Sequence, residues 1–162
     1  MSYINVFRQK NGFCGVACLQ SIFYQYGVNY SQEQLAKLMN PKREKGVTAV
    51  KWIERVGSDQ SDLARLCEKL KFKTFSKFDC SLEELKTNIK DNRHVVVAYN
   101  DSDWGEHYVL AFDYDDSKIV LGDPKIPGIK SMDWQNFKNN WREQEVSRDT
   151  DRGQVLVVYP RG

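Results

Sequence analysis

No apolar run in this sequence approaches the ~20 residues that a membrane-spanning helix requires; stretches such as residues 95–99 are far shorter. The opening MSYINVFRQKNGFCGVACL has no apolar centre between a positive start and a small-residue cleavage site, so no secretory signal is legible. The expectation is a soluble, cytoplasmic chain without membrane insertion. Blocks of Lys and Arg interleaved with aromatics are also missing. The balance of 24 basic against 22 acidic residues leaves a formal charge of +2, so nucleic acid is not an expected partner. No GxxxxGKS or GxxxxGKT phosphate loop occurs, which excludes a P-loop ATPase within this sequence. Histidine is scarce, with two in 162 residues, and neither lies near the one close cysteine pair, Cys14 and Cys18. That disfavours a zinc site, and no metal or organic cofactor is expected. The four cysteines, at 14, 18, 67 and 80, read as thiols in a reducing compartment.

What is present suffices for one compact fold. A hydrophobic share of 41% with 28% charged residues is ordinary for globular proteins and lies outside the disordered range. The length fits a single domain spanning 1–162. Residues 12–27 read as a turn and then a helix, with Val16, Leu19, Ile22, Phe23 and Tyr26 at spacings of three and four and Gly27 as its stop. Ser31 caps a second helix to Met39, closed by Pro41. Residues 40–47 are polar and basic, a loop. Helical stretches follow at 48–55 and 59–70, separated by Gly57, then a short strand at 73–78 and a helix from Ser81 to Ile89 with Glu84 completing a capping box. Past Asn92 the pattern turns extended: 93–100, 107–114, 118–123 and 154–159 are β-branched or aromatic runs between turn-forming clusters, interrupted by one helix at 133–141. The expected fold is α+β, a helical N-terminal half packed on a C-terminal antiparallel sheet.

Cys14 precedes Gly15 and opens a helix, beside unpaired backbone N–H groups and the positive end of the helix dipole, both of which favour thiolate. A nucleophilic thiol needs a base within reach and a third group to orient that base. His107 begins an extended run that ends at Asp123, and a turn near 115–117 would bring the two to neighbouring positions at one end of the sheet. His94, the rival base, has no acidic residue in a paired position and reads as structural. Cys18 lies one turn inside the helix and reads as packing. Gln9, five residues before Cys14, is placed to join the Cys14 N–H in an oxyanion hole.

Gln9-KNGF-Cys14-Gly-Val-Ala-Cys18-Leu, the Tyr26-Gly27 closure, His107-Tyr-Val-Leu and Leu121-Gly-Asp123-Pro124 together resemble the bacteriocin-processing, double-glycine-leader peptidases, nearly end to end. The resemblance implies a papain-like cysteine peptidase with Cys14 as nucleophile, His107 as base, Asp123 as orienting acid and Gln9 as oxyanion donor. It also implies cleavage of a peptide or protein substrate after a Gly-Gly pair and association with a separate exporter, this chain being a stand-alone peptidase domain. Residues 57–72 resemble the family's second helical segment, and Phe137 with Trp141 its late aromatic pair. The chain departs from the pattern at Phe13, where an acidic residue is usual, and at residues 40–56, which read as extra sequence. Both bear on specificity rather than on chemistry. The same residues would serve another Cys-His-Asp amidase, a deamidase or an acyltransferase, and the fold without turnover would be a non-catalytic peptide-binding module.

Overall fold

The computed structural model describes residues 4–101, 105–143 and 152–160. Its first helix, α1 (Cys14–Gln25), buries Val16, Leu19, Ile22 and Phe23 at 1% exposure or less. Each such side chain contributes about 1.5–3 kcal/mol of burial, and with Gly15, Ala17, Cys18 and Ser21 buried as well, α1 is enclosed round most of its circumference. Three shorter helices follow: α2 (Gln32–Met39), α3 (Ala49–Val56) and α4 (Gln60–Lys69). Their starts are set by side-chain caps, Ser31, Thr48 and Asp59, each accepting from the backbone N–H three residues on. Strand β1 (Thr74–Lys77) leads to α5 (Leu82–Lys90), which has the expected Ser81–Glu84 capping box. Then come β2 (His94–Asp101), β3 (Gly105–Tyr114), β4 (Lys118–Gly122), β5 (Ile129–Asp133), α6 (Trp134–Lys138) with a π-helical turn at Asn139–Glu143, and β6 (Val155–Val158).

The six strands form one antiparallel sheet in the order β1-β6-β2-β3-β4-β5. Alternation along β2 and β3 feeds two apolar clusters. Val96, Ala98, Tyr108, Leu110 and Phe112 pack beneath α1 to α4, while Val95, Val97, Tyr99, Val109 and Ala111 pack against α5, Phe137 and Trp141. The sheet is thus covered on both faces, with the four N-terminal helices on one and α5 and α6 on the other. Two elements differ from the sequence reading. Residues 129–133 form an edge strand, and the helix expected over 133–141 is a short α6 running into the π turn.

Candidate active site

Cys14 is the first residue of α1, and the preceding Phe13 provides no side-chain cap and the first turn no acidic residue. The amides of this first turn are therefore left without a side-chain cap, and Cys14 sits at the positive end of the helix dipole. The backbone around it is tightly set. Gly12 has φ +78°, and a Cβ there would lie 2.2 Å from the Ile53 carbonyl oxygen of α3. A Cβ on Gly15 would sit 2.8 Å from Leu63 and 3.2 Å from Tyr108. Ile53 and Glu54 of α3 consequently back the turn that leads into Cys14.

His107 and Asp123 meet because of a bulge. Leu110 pairs with Gly122 and Ala111 with Leu121, but Asp113 pairs with Val120 and Tyr114 with Ile119, so Phe112 has no opposite number. Extending the first register by one residue sets Asp123 opposite Val109, on the sheet face shared by alternate residues Val109 and His107. Without the extra residue Asp123 would oppose Leu110 and face the other layer. The result is a His107 Nε2 to Asp123 Oδ1 hydrogen bond of 2.6 Å between residues 1% and 4% exposed. The Cys14 side chain lies near enough to the same imidazole to raise its pKa.

The electrostatics follow from these contacts. Burial pulls His107 toward the neutral form, but its bonds to Asp123 and Cys14 outweigh it and raise the pKa from 6.5 to about 9. Burial likewise opposes ionisation of Asp123, yet His107, the Lys130 ammonium and the Lys125 N–H hold its carboxyl well below the usual carboxylate range. Asp123 Oδ2 takes Lys130 Nζ at 2.7 Å, and Oδ1 also takes the Lys125 backbone N–H at 2.9 Å. Such opposed shifts within one buried group of side chains are characteristic of reactive sites.

The other sequence candidates separate cleanly. Gln9 lies on the loop before α1, its backbone N–H donating to Pro124 O at 2.9 Å, so that loop adjoins the turn after Asp123. Its Nε2 donates to Lys10 O at 3.1 Å, while its buried Oε1 has no hydrogen-bond partner. Gln32 at the start of α2 brackets it, accepting from Lys10 N at 2.9 Å and donating to Arg8 O at 2.8 Å. Gln32 and Lys130 are the neighbours that sequence reasoning missed. His94 is remote in role: it is bonded to Tyr26 Oη at 2.6 Å, and burial pulls its pKa down. Cys18 is fully buried, its thiol pushed well up by burial and by the charges of Cys14 and Asp123. From Cys14 an open groove of about 940 Å³ runs between α3, α4 and the sheet, lined by Trp52, Val56, Asp59, Arg65, Phe78 and Tyr108 among others. Among the described residues no group of three or more His, Cys, Asp or Glu is placed to hold a metal ion.

The model of the Peptidase C39 family matches residues 3–148. The chain belongs to the Peptidase C39 family. It is a cysteine peptidase, as the resemblance in the sequence implied. No curated protein matches it. Among solved structures, this C39 chain is similar to the peptidase domain of Streptococcus ComA, a bifunctional ABC transporter involved in quorum sensing. The TM-score is 0.66 at 21% identity, covering 99% of this chain and 100% of that one. A double glycine motif protease from an AMS/PCAT transporter, solved in complex with the leader peptide, gives a TM-score of 0.69 at 16% identity over 98% and 93%. The peptidase domain of Streptococcus mutans ComA gives 0.57 at 15% over 98% and 100%. At these identities the likeness is one of fold, the papain-like α+β arrangement of the C39 peptidase domains.

Proposed function

We propose that residues 1–162 act as one peptidase domain in which Cys14 is the nucleophile, His107 the general base and acid, Asp123 its orienting group and Gln9 the oxyanion donor. The carrying observation is the buried His107–Asp123 hydrogen bond beside Cys14, which itself lines an open groove of about 940 Å³. With the proton held on His107, the Cys14 thiolate attacks the scissile carbonyl, and the oxyanion forms toward the Cys14 N–H and the Gln9 amide. The imidazolium then protonates the leaving amine, and water, deprotonated by the same histidine, hydrolyses the thioester, releasing the Cys14 sulfur and leaving the proton on His107. Every group this requires is a protein group, and no metal or organic cofactor takes part in the scheme.

The substrate we assign is a leader peptide cut after a Gly-Gly pair, a reading supported by the AMS/PCAT neighbour, itself a double glycine motif protease solved with a leader peptide. A separate exporter is the proposed partner, since the Streptococcus ComA neighbour is the peptidase domain of an ABC transporter. Among the described residues, no helix is long and apolar enough to cross a membrane, and a cytoplasmic site of action is part of the proposal. The test is to incubate the protein and its Cys14→Ala variant with a mixed peptide library and identify new termini by mass spectrometry. New termini after Gly-Gly, present with the wild type and absent with the variant, are the expected result. Identical termini in both samples would overturn the reading.

A further inference from the structure

Behind His107 both oxygens of Asp123 are occupied. Oδ1 accepts from His107 and from the Lys125 backbone N–H, while Oδ2 accepts from Lys130 Nζ at 2.7 Å. The same ammonium donates to Tyr99 Oη, also at 2.7 Å. Lys130 comes from β5 and Tyr99 from β2, where Tyr99 pairs directly with His107 and stands edge-on to it, ring centroids 6.1 Å apart. The lysine is therefore fixed between the two residues that flank the imidazole.

We infer that Lys130 is a positioning residue for the site, acting through Asp123: it holds the plane of the carboxylate and cancels part of its charge at the histidine. This rests on the peptidase reading above. A carboxylate held through one oxygen is free to turn about its Cβ–Cγ bond. Anchoring Oδ2 removes that freedom and keeps Oδ1 aimed at Nε2, which sets the tautomer and tilt of the ring. The charge matters as well. Among the described residues, the titratable groups around Asp123 and His107 include Tyr99 and Asp101 of β2, Cys14 and Cys18 of α1, Lys125 of the β4–β5 turn and Lys130 of β5. The Lys125 ammonium is turned to Asp101 at 3.4 Å, and among the described residues Lys130 is the cation directly on Asp123. An imidazolium facing an uncompensated buried carboxylate would hold its proton too tightly to release it to a leaving amine, whereas a general acid works best when its pKa lies near the working pH.

The test compares Lys130→Met, Lys130→Gln and Lys130→Arg. Lys130 is a part-exposed residue on an edge strand, and two neutral variants guard against one that fails to fold. With two histidines in the chain, NMR titration follows His107 directly and uses His94 as internal reference. In both neutral variants the His107 midpoint should rise by about 0.5–1 unit, while Lys130→Arg stays at the wild-type value. The alkaline limb of kcat/KM should rise with it, kcat should fall roughly ten-fold in Lys130→Met with KM nearly unchanged, and the loss in Lys130→Gln should be smaller because a donor to Oδ2 remains. A His107 midpoint that stays within about 0.2 unit in folded Met and Gln variants would overturn the inference. If the protein cut no peptide at all, the NMR titration and the pH dependence of Cys14 alkylation would still decide the role of Lys130, so the two readings fail separately.

Discussion

Four thiols and two imidazoles are the residues of the chain from which a nucleophile and a base would be drawn, and burial sorts them. Cys14 is half-buried at a helix start, while Cys18, Cys67 and Cys80 are buried, with burial pushing Cys67 up to about 12. Limiting iodoacetamide near neutral pH should therefore label Cys14 first, as mapped by peptide mass spectrometry; preferential labelling of another cysteine would remove Cys14 as nucleophile. The two histidines divide in the same way. His107→Ala should abolish turnover and Asp123→Asn should cut kcat strongly, whereas His94→Ala should leave kcat within a few-fold and act on stability through the lost Tyr26 bond. An inactive His94→Ala beside an active His107→Ala would refute the site. These residues were legible in the sequence because each sits at a boundary that leaves a trace: a turn glycine before a helix, an acidic residue before a proline, a histidine at the start of an apolar alternation. Lys130 and Gln32 were not legible. A lysine in a polar strand and a glutamine at a helix start look like solvated residues until the fold sets their partners beside them.

The elements were legible where burial writes a period and silent where it does not. Strands β2, β3 and β4 alternate or run apolar because both faces of the sheet are covered, and the turn at 115–117 is marked by Asp115 accepting from Ser117 and Lys118. Strand β5 is an edge strand whose side chains are mostly half-buried or exposed, so its sequence IKSMD carries no apolar alternation and only its pairing with β4 defines it. The bulge at Phe112 was invisible for a related reason, since a one-residue register shift alters pairing without altering composition. Yet it decides which face Asp123 takes. The ring of Phe112 lies over Gly122, where a Cβ would come within 2.5 Å of it and 2.9 Å of Val6. Gly122→Val should consequently lose about 1–3 kcal/mol of stability by overpacking. Because the displaced strand end carries Asp123, it should also lose activity in excess of the unfolded fraction. Urea titration alongside kcat measurement checks this, and a variant of wild-type stability and turnover would show that β4 can shift freely beneath the bulge.

At the scale of the whole molecule the site lies where the two apolar layers meet the end of the sheet, so its charges are linked to global stability. His107 binds its proton more tightly folded, at about 9, than unfolded, at about 6.5. Between those values the native state holds a proton that the unfolded chain has released, so stability falls as pH rises through the window. The full contribution is present below about pH 6.5, and the 2.5-unit difference corresponds to roughly 3 kcal/mol lost by pH 9. Asp123 works in the opposite sense: its carboxyl is held below the usual range, so its contribution is complete above about pH 4 and is lost only in stronger acid. Together the two shifts place the stability maximum on the mildly acidic side of neutrality. Urea unfolding of the wild type at a series of pH values from 5 to 10 should show this decline, and His107→Gln should flatten it by removing the proton that is held. A wild-type profile that stays level across the window would mean that folding takes up no net proton there, and the raised His107 pKa would not be what sets the pH dependence of stability.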